Sequence, residues 1–164
     1  MGAIDAIEAA MTDPLGVRCN NPGNIERSNP LINWRGLTGY DGVECVFATP
    51  QDGWHALCMD LLAAQLKHNR HTIAEIITPY APPSENDTAA YIQSVCMQMQ
   101  TTSDIALDLM QPVDLSRLAQ AMAFQEQGAH YWPPSMIYAA ASEAISIYQQ
   151  KGAQQCANSA SSSS

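Results

Sequence analysis

LAQAMAFQEQG, residues 118–128, is an uncharged, mostly apolar run that ends in an acid, Glu126, and stops at a glycine. Read as a helix capped by Asp114 and ended by Gly128, it places Leu115, Leu118, Ala119 and Met122 on one face. Glu126 is the next position on that stripe, so its carboxylate is expected to point toward the apolar side. Desolvation there raises the pKa and keeps the proton on nearer neutral pH, the property a general acid needs to cleave a glycosidic bond. Spacing alone leaves a second reading open, in which Glu126 turns out to solvent or pairs with Arg18 or Arg35.

Outward from this stretch the periodicity is mostly helical. DGWHALCMDLLAAQLKH (52–68) sets Trp54, Leu57, Cys58, Leu61, Leu62 and Leu66 three and four apart, which predicts one apolar stripe. Thr72 and Glu75 stand at capping-box spacing before a short helix that Pro79 should stop. Asp87 or Thr88 is expected to cap a helix carrying Tyr91, Ile92, Val95, Cys96 and Met99 on one face. A last helix should run from Pro134 or Ser135 through Tyr148, and MGAIDAIEAAM at the start reads as another short helix. The Gly-, Pro- and Asn-dense stretch from Thr12 to Pro50 reads as loops with a small hairpin that includes VECVF, residues 43–47. The expectation is a mainly α domain over 1–153 with a small loop-rich or β lobe, followed by a flexible Ser-rich tail over 154–164.

Composition excludes several function classes. With a net charge of -9 and 7 Lys plus Arg, the surface should repel nucleic acid and anionic lipid. No window reaches the roughly 18–20 apolar residues of a membrane span. The first residues carry Asp5 and Glu8 and lack the positive region of a secretory signal, so the chain is expected to be made without one. Five cysteines form no CxxC pair or Cys/His comb, so neither a zinc site nor any other cofactor is expected.

LAQAMAFQEQG resembles the acid helix, A-Q-A-x-x-E-S-G, of lysozyme-like peptidoglycan hydrolases, notably the bacterial glucosaminidases, with Glu126 in the acid's place, Gln127 where they carry serine, and four residues between A-Q-A and the acid where they carry two. Other pieces of that pattern, NNPGNI (20–25), WRG (34–36), FATPQDGWHALCMDLL (47–62) and YAPPSENDTAAY (80–91), come before the acid helix instead of after it. The chain therefore looks like a circularly permuted relative of the glucosaminidases and lytic transglycosylases. In unpermuted order it also resembles a family of phage and prophage virion-associated lytic proteins. The matching positions are Arg18, Asn20 to Ile25, Trp34, Gly36, Ala81 to Thr88, Tyr91, Ile92, Glu126 and Gly128. Tyr80 stands in place of a tryptophan, Glu26 of a common basic residue and Gln127 of an asparagine. This resemblance implies a lysozyme-like fold, peptidoglycan as substrate, and delivery to the periplasm or wall of a target bacterium by a virion or an injection system. Virion proteins or a cognate immunity protein are the partners it implies.

The remaining candidates follow from chemistry. Asn20, Asn21 and Asn24 present amides suited to N-acetyl sugars, or else form a turn that bonds its own backbone. Trp34 and Tyr80 are candidates to stack on sugar faces. Glu26, Glu44 and Glu85, with Asp41 beside them, are candidates for a second carboxylate, which a hydrolase normally needs and a lytic transglycosylase does not. Glu85 has an alternative role organising its loop. Cys19 with His55 supplies the ingredients of a cysteine-dependent amidase acting on the peptide stems. A non-catalytic wall-binding or virion structural module is the third possibility.

Overall fold

The computed structural model describes residues 13–84 and 87–161. The first expected helix and Glu85 lie outside the described residues. In chain order the elements are α1 (Leu15–Arg18), β1 (Leu37–Asp41), β2 (Glu44–Phe47), α2 (Pro50–His68), α3 (Ile73–Tyr80), α4 (Thr88–Met99), α5 (Pro112–Gln127) and α6 (Pro134–Ser161). The fold is mainly α with a small antiparallel two-stranded lobe.

The strands form a hairpin in which Asp41 pairs with Glu44, Tyr40 with Cys45 and Gly39 with Val46, with an irregularity before Leu37 pairs with Phe47. Gly42, at φ 62°, supplies the left-handed residue that a two-residue turn demands. The preceding loop docks along β2: Glu26 bridges Glu44, and the Cys45 amide donates to the Ile25 carbonyl at 2.9 Å.

Helix α2 is the centre of the body. Thr49 caps it by accepting from the Asp52 amide, and Asn69 ends it in the left-handed conformation. Instead of one stripe, burial wraps the whole of Gly53–Cys58, because α5 and α6 pack on α2 and the Asn-rich loop covers its first turns. Gly53 permits that cover, since a Cβ there would collide with the Asn20 carbonyl. Leu66, expected in the stripe, is 47% exposed near the helix end. Leu57, Leu61, Leu62, Leu115, Leu118, Met122 and Ile137 are fully buried in one core that also takes in Phe47 of the hairpin. Each such side chain contributes about 1.5–3 kcal/mol by leaving water.

The caps explain most of the helix boundaries. Thr72 and Glu75 form the expected capping box, and Asp87 accepts from the Ala90 amide. Pro79 lies inside α3, not beyond it; in the last turn its missing N–H costs little, and the helix ends one residue later. Asp114 does not cap α5. The helix starts a turn earlier with Pro112 in its first turn, and the Asp114 carboxylate accepts from the Asp108 amide at 3.2 Å. Gly128, at φ 75°, ends α5 as its position requires. Helix α6 runs past Tyr148 to Ser161, so the expected flexible tail is helical to that point. Among the described residues no helix is long and apolar enough to cross a membrane.

Candidate active site

Between the hairpin lobe and the helical body lies an open cleft of about 490 Å³. Asn24, Ile25 and Glu26 of the Asn-rich loop, Glu44 of β2, Asp60 of α2, Tyr80 of α3, Tyr91 of α4 and Glu126 of α5 line it, with Trp34 and Ile32 at the loop side. Of the residues singled out in the sequence, Glu126, Glu26, Glu44, Asn24, Trp34 and Tyr80 are brought together here.

Glu126 follows the stripe of Leu115, Leu118, Ala119 and Met122, all fully buried, and itself sits half-buried at the cleft. Its carboxyl accepts two hydrogen bonds, one from Asn24 Nδ2 at 2.8 Å on Oε2 and one from the Tyr91 hydroxyl at 2.7 Å on Oε1. Burial pushes its pKa up; the two donors pull against that, and the nearby charge of Glu26 adds to the rise. Neither Arg18 nor Arg35 pairs with it: Arg35 instead bridges Asp52 at 3.0 Å and Glu143 at 2.6 Å.

Glu44 is the more perturbed carboxyl. Burial, then the charges of Glu26, Glu126 and Asp41, push it from 4.5 to about 7. Among the described residues the donor on its carboxyl is Asn21 Nδ2, at 3.2 Å, an amide shared with the carbonyls of Ile25 and Cys45.

The Asn-rich loop divides its labour. Asn20 and Asn24 adopt left-handed backbone, at φ 53° and 47°, which asparagine tolerates better than most residues. Asn20 donates to the Phe47 carbonyl at 3.0 Å, and Asn21 is 0% exposed with its side chain clasping Ile25 and Cys45. These two hold the turn against the hairpin and do not line the cleft, so the sugar-binding role expected of them is corrected to a structural one. Asn24 alone of the three faces the cleft. Tyr80 also serves the loop, its hydroxyl donating to the Gly23 carbonyl, while its ring meets that of Tyr91 edge-on at 6.5 Å.

Three contributors were not singled out as site residues in the sequence. Tyr91 read as a core residue, yet a buried tyrosine needs a partner for its hydroxyl, and here that partner is Glu126. Asp60, an acid inside the apolar run CMDLL, carried the same signal as Glu126; burial raises its pKa against the opposing charges of Arg70 and His68. Gln127, noted only as a departure from the resembled pattern, is 5% exposed and donates to the Pro22 carbonyl at 3.1 Å and to Asn24 Oδ1 at 2.7 Å.

The thiol alternative has the wrong electrostatics. Cys19 is buried, and burial followed by the charges of Asp41 and Glu44 pushes its thiol up, away from the thiolate a nucleophile needs. His55 is buried with its pKa pushed down, chiefly by burial, and its Nε2 has no hydrogen-bond partner among the described residues. Among the described residues no group of three or more His, Cys, Asp and Glu is arranged to hold a metal ion.

Comparison with protein-family models and with curated proteins finds no match to this chain.

Proposed function

We propose that this protein cleaves the β-1,4 glycosidic bond of peptidoglycan in the cleft between its two lobes, with Glu126 as proton donor. The observation that carries the reading is a half-buried carboxyl at a helix end, held on both oxygens by donors and facing an open groove that contains a second, electrically perturbed carboxyl. The motifs shared with phage lytic proteins and, in permuted order, with glucosaminidases point to the same substrate. In the proposed step the proton of Glu126 passes to the leaving oxygen as the glycosidic bond breaks, and Glu44 stands as the carboxylate that stabilises the sugar cation or activates water. Trp34 supplies an aromatic face for a sugar ring. The enzyme acts in the periplasm or wall of a target bacterium, reached in a virion or through an injection system.

The pKa of Glu44 favours a second assignment on the same site. A carboxyl at about 7 holds its proton longer, which makes Glu44 the donor and Glu126 the ionised partner.

Digestion of purified Gram-negative peptidoglycan by wild type, Glu126→Gln and Glu44→Gln, with mass spectrometry of the fragments, tests both assignments. Fragments with 1,6-anhydro ends identify a transglycosylase, and reducing ends a hydrolase. Aryl glycosides with good leaving groups restore turnover only to the variant that has lost its proton donor, which separates Glu126 from Glu44. Stem-peptide products insensitive to Glu126→Gln would replace the reading with an amidase, and wall binding without any release would replace it with a binding module.

A further inference from the structure

The side-chain amide of Asn24 can meet Glu126 with either end, its NH2 or its carbonyl, and the two have opposite effects on a carboxyl. Its neighbours decide which. The Pro22 carbonyl can only accept, so the atom of Gln127 that lies 3.1 Å from it is the donating Nε2. That NH2 has a second hydrogen, and Asn24 Oδ1 accepts it at 2.7 Å. Asn24 is then left with its own NH2 for Glu126 Oε2, at 2.8 Å.

We propose that Gln127 is a positioning residue: anchored on the Pro22 carbonyl, it fixes the amide of Asn24 so that a donor, never a carbonyl, faces the carboxyl of Glu126. The effect on turnover rests on the reading of Glu126 as the reacting acid, whereas the relay itself does not. Packing holds the relay from a further side. Gly16 of α1 lies so close that a Cβ there would collide with both Asn24 Oδ1 and Gln127 Nε2. The left-handed backbone of Asn24 aims its side chain at α5 from a loop more than a hundred residues away, at a separation of 102.

The chemistry explains what the relay is for. A carbonyl facing Glu126 would accept the acid's own proton and draw it away from substrate. With Asn24 and Tyr91 both donating, the proton of Glu126 is confined to the lone pairs they leave, on a carboxyl that lines the cleft. Besides these donors and burial, the charge of Glu26 of the loop acts on Glu126, and the charge of Glu126 in turn raises Glu44 of β2 and Tyr80 of α3.

A carboxyl NMR titration of Glu126 tests this without relying on activity. In Gln127→Met, Asn24 is free to turn, and the midpoint of Glu126 should move to higher pH by on the order of half a unit or more. Asn24→Leu should give a similar or larger shift, and the double variant no more than Asn24→Leu alone, because Gln127 acts through Asn24. A Gln127→Met midpoint equal to wild type, or additive shifts in the double variant, would overturn the proposal. Should Gln127→Met fail to fold, the wild type decides: the side-chain NH2 protons of Asn24 must follow the titration of Glu126, and their indifference to it would overturn the relay. In turnover, Gln127→Met should lower kcat by about tenfold or more with KM unchanged, and carry the alkaline limb upward with the midpoint. Equal glycan release by wild type and Glu126→Gln would remove Glu126 from the chemistry, and the titrations would still decide the relay.

Discussion

Glu126 and Glu44 reach the same cleft from two regions built in different ways. Glu126 hangs from the end of a buried helix, and each of its oxygens has its own donor. Glu44 comes from a hairpin strand, and the Asn21 amide that donates to it is divided among three acceptors. Both are desolvated, yet Glu44 is raised to about 7 and the rise at Glu126 is opposed by its two donors. The contrast teaches that burial raises both carboxyls and that the donors reaching each one, Tyr91 and Asn24 at Glu126, decide how far the rise is opposed. Asn24 serves one and Asn21 scarcely serves the other.

The harshest way to break the comparison is to remove one carboxyl. Glu126→Gln should lower glycan release by about 10²- to 10⁴-fold while leaving far-UV circular dichroism unchanged. Next in size is the clasp on the hairpin side. Asn21→Ala strands the buried Ile25 amide and takes one donor from each of the Ile25 and Cys45 carbonyls, and should cost roughly 3 kcal/mol in urea unfolding, whereas Asn24→Ala, on the other carboxyl, should cost less. Tyr91→Phe removes a donor from Glu126 alone. It should shift the alkaline limb of kcat to higher pH and cost about 1–3 kcal/mol; an unchanged limb would mean that the hydroxyl does not steer the charge of Glu126.

The smallest effect sharpens the contrast from the Glu44 side. Its pKa in the folded protein lies above its ordinary 4.5, so the folded state keeps a proton that the unfolded chain has released. That contribution to stability is complete below pH 4.5 and is lost as pH rises toward about 7. Glu44→Gln should therefore raise Tm slightly at about pH 8 and leave it unchanged at about pH 4. The same rise at both values would show that Glu44 does not titrate in this window.

How much of this was legible in the sequence depended on whether the signal was local. The Thr72–Glu75 box, the Asp87 cap, the Gly128 stop and the stripe leading to Glu126 are written within a few residues each, and the structure carries all of them. Loop chemistry was ambiguous because asparagine serves a tight turn and a sugar site equally well. Only the docking of the loop onto β2 and α2 separates Asn20 and Asn21 from Asn24. Gln127 was opaque for the opposite reason: a glutamine at a helix end is ordinarily a surface residue, and its burial comes from α1 and Pro22, far away in the chain. The length of α6 was missed because KGAQQCANSAS is small and polar, which suits a tail, although its Ala, Gln and Lys also favour helix.

The bond between Asn24 and Glu126 spans 102 residues, and that between Gln127 and Pro22 spans 105. Helices can form in under a microsecond, but a contact of such span waits for the chain to close a long loop. A growing chain cannot hold the Glu126 carboxyl in this arrangement until both ends of that span have been made and have met. Under the proposed function, helical signal in refolding should return before the ability to cut glycan.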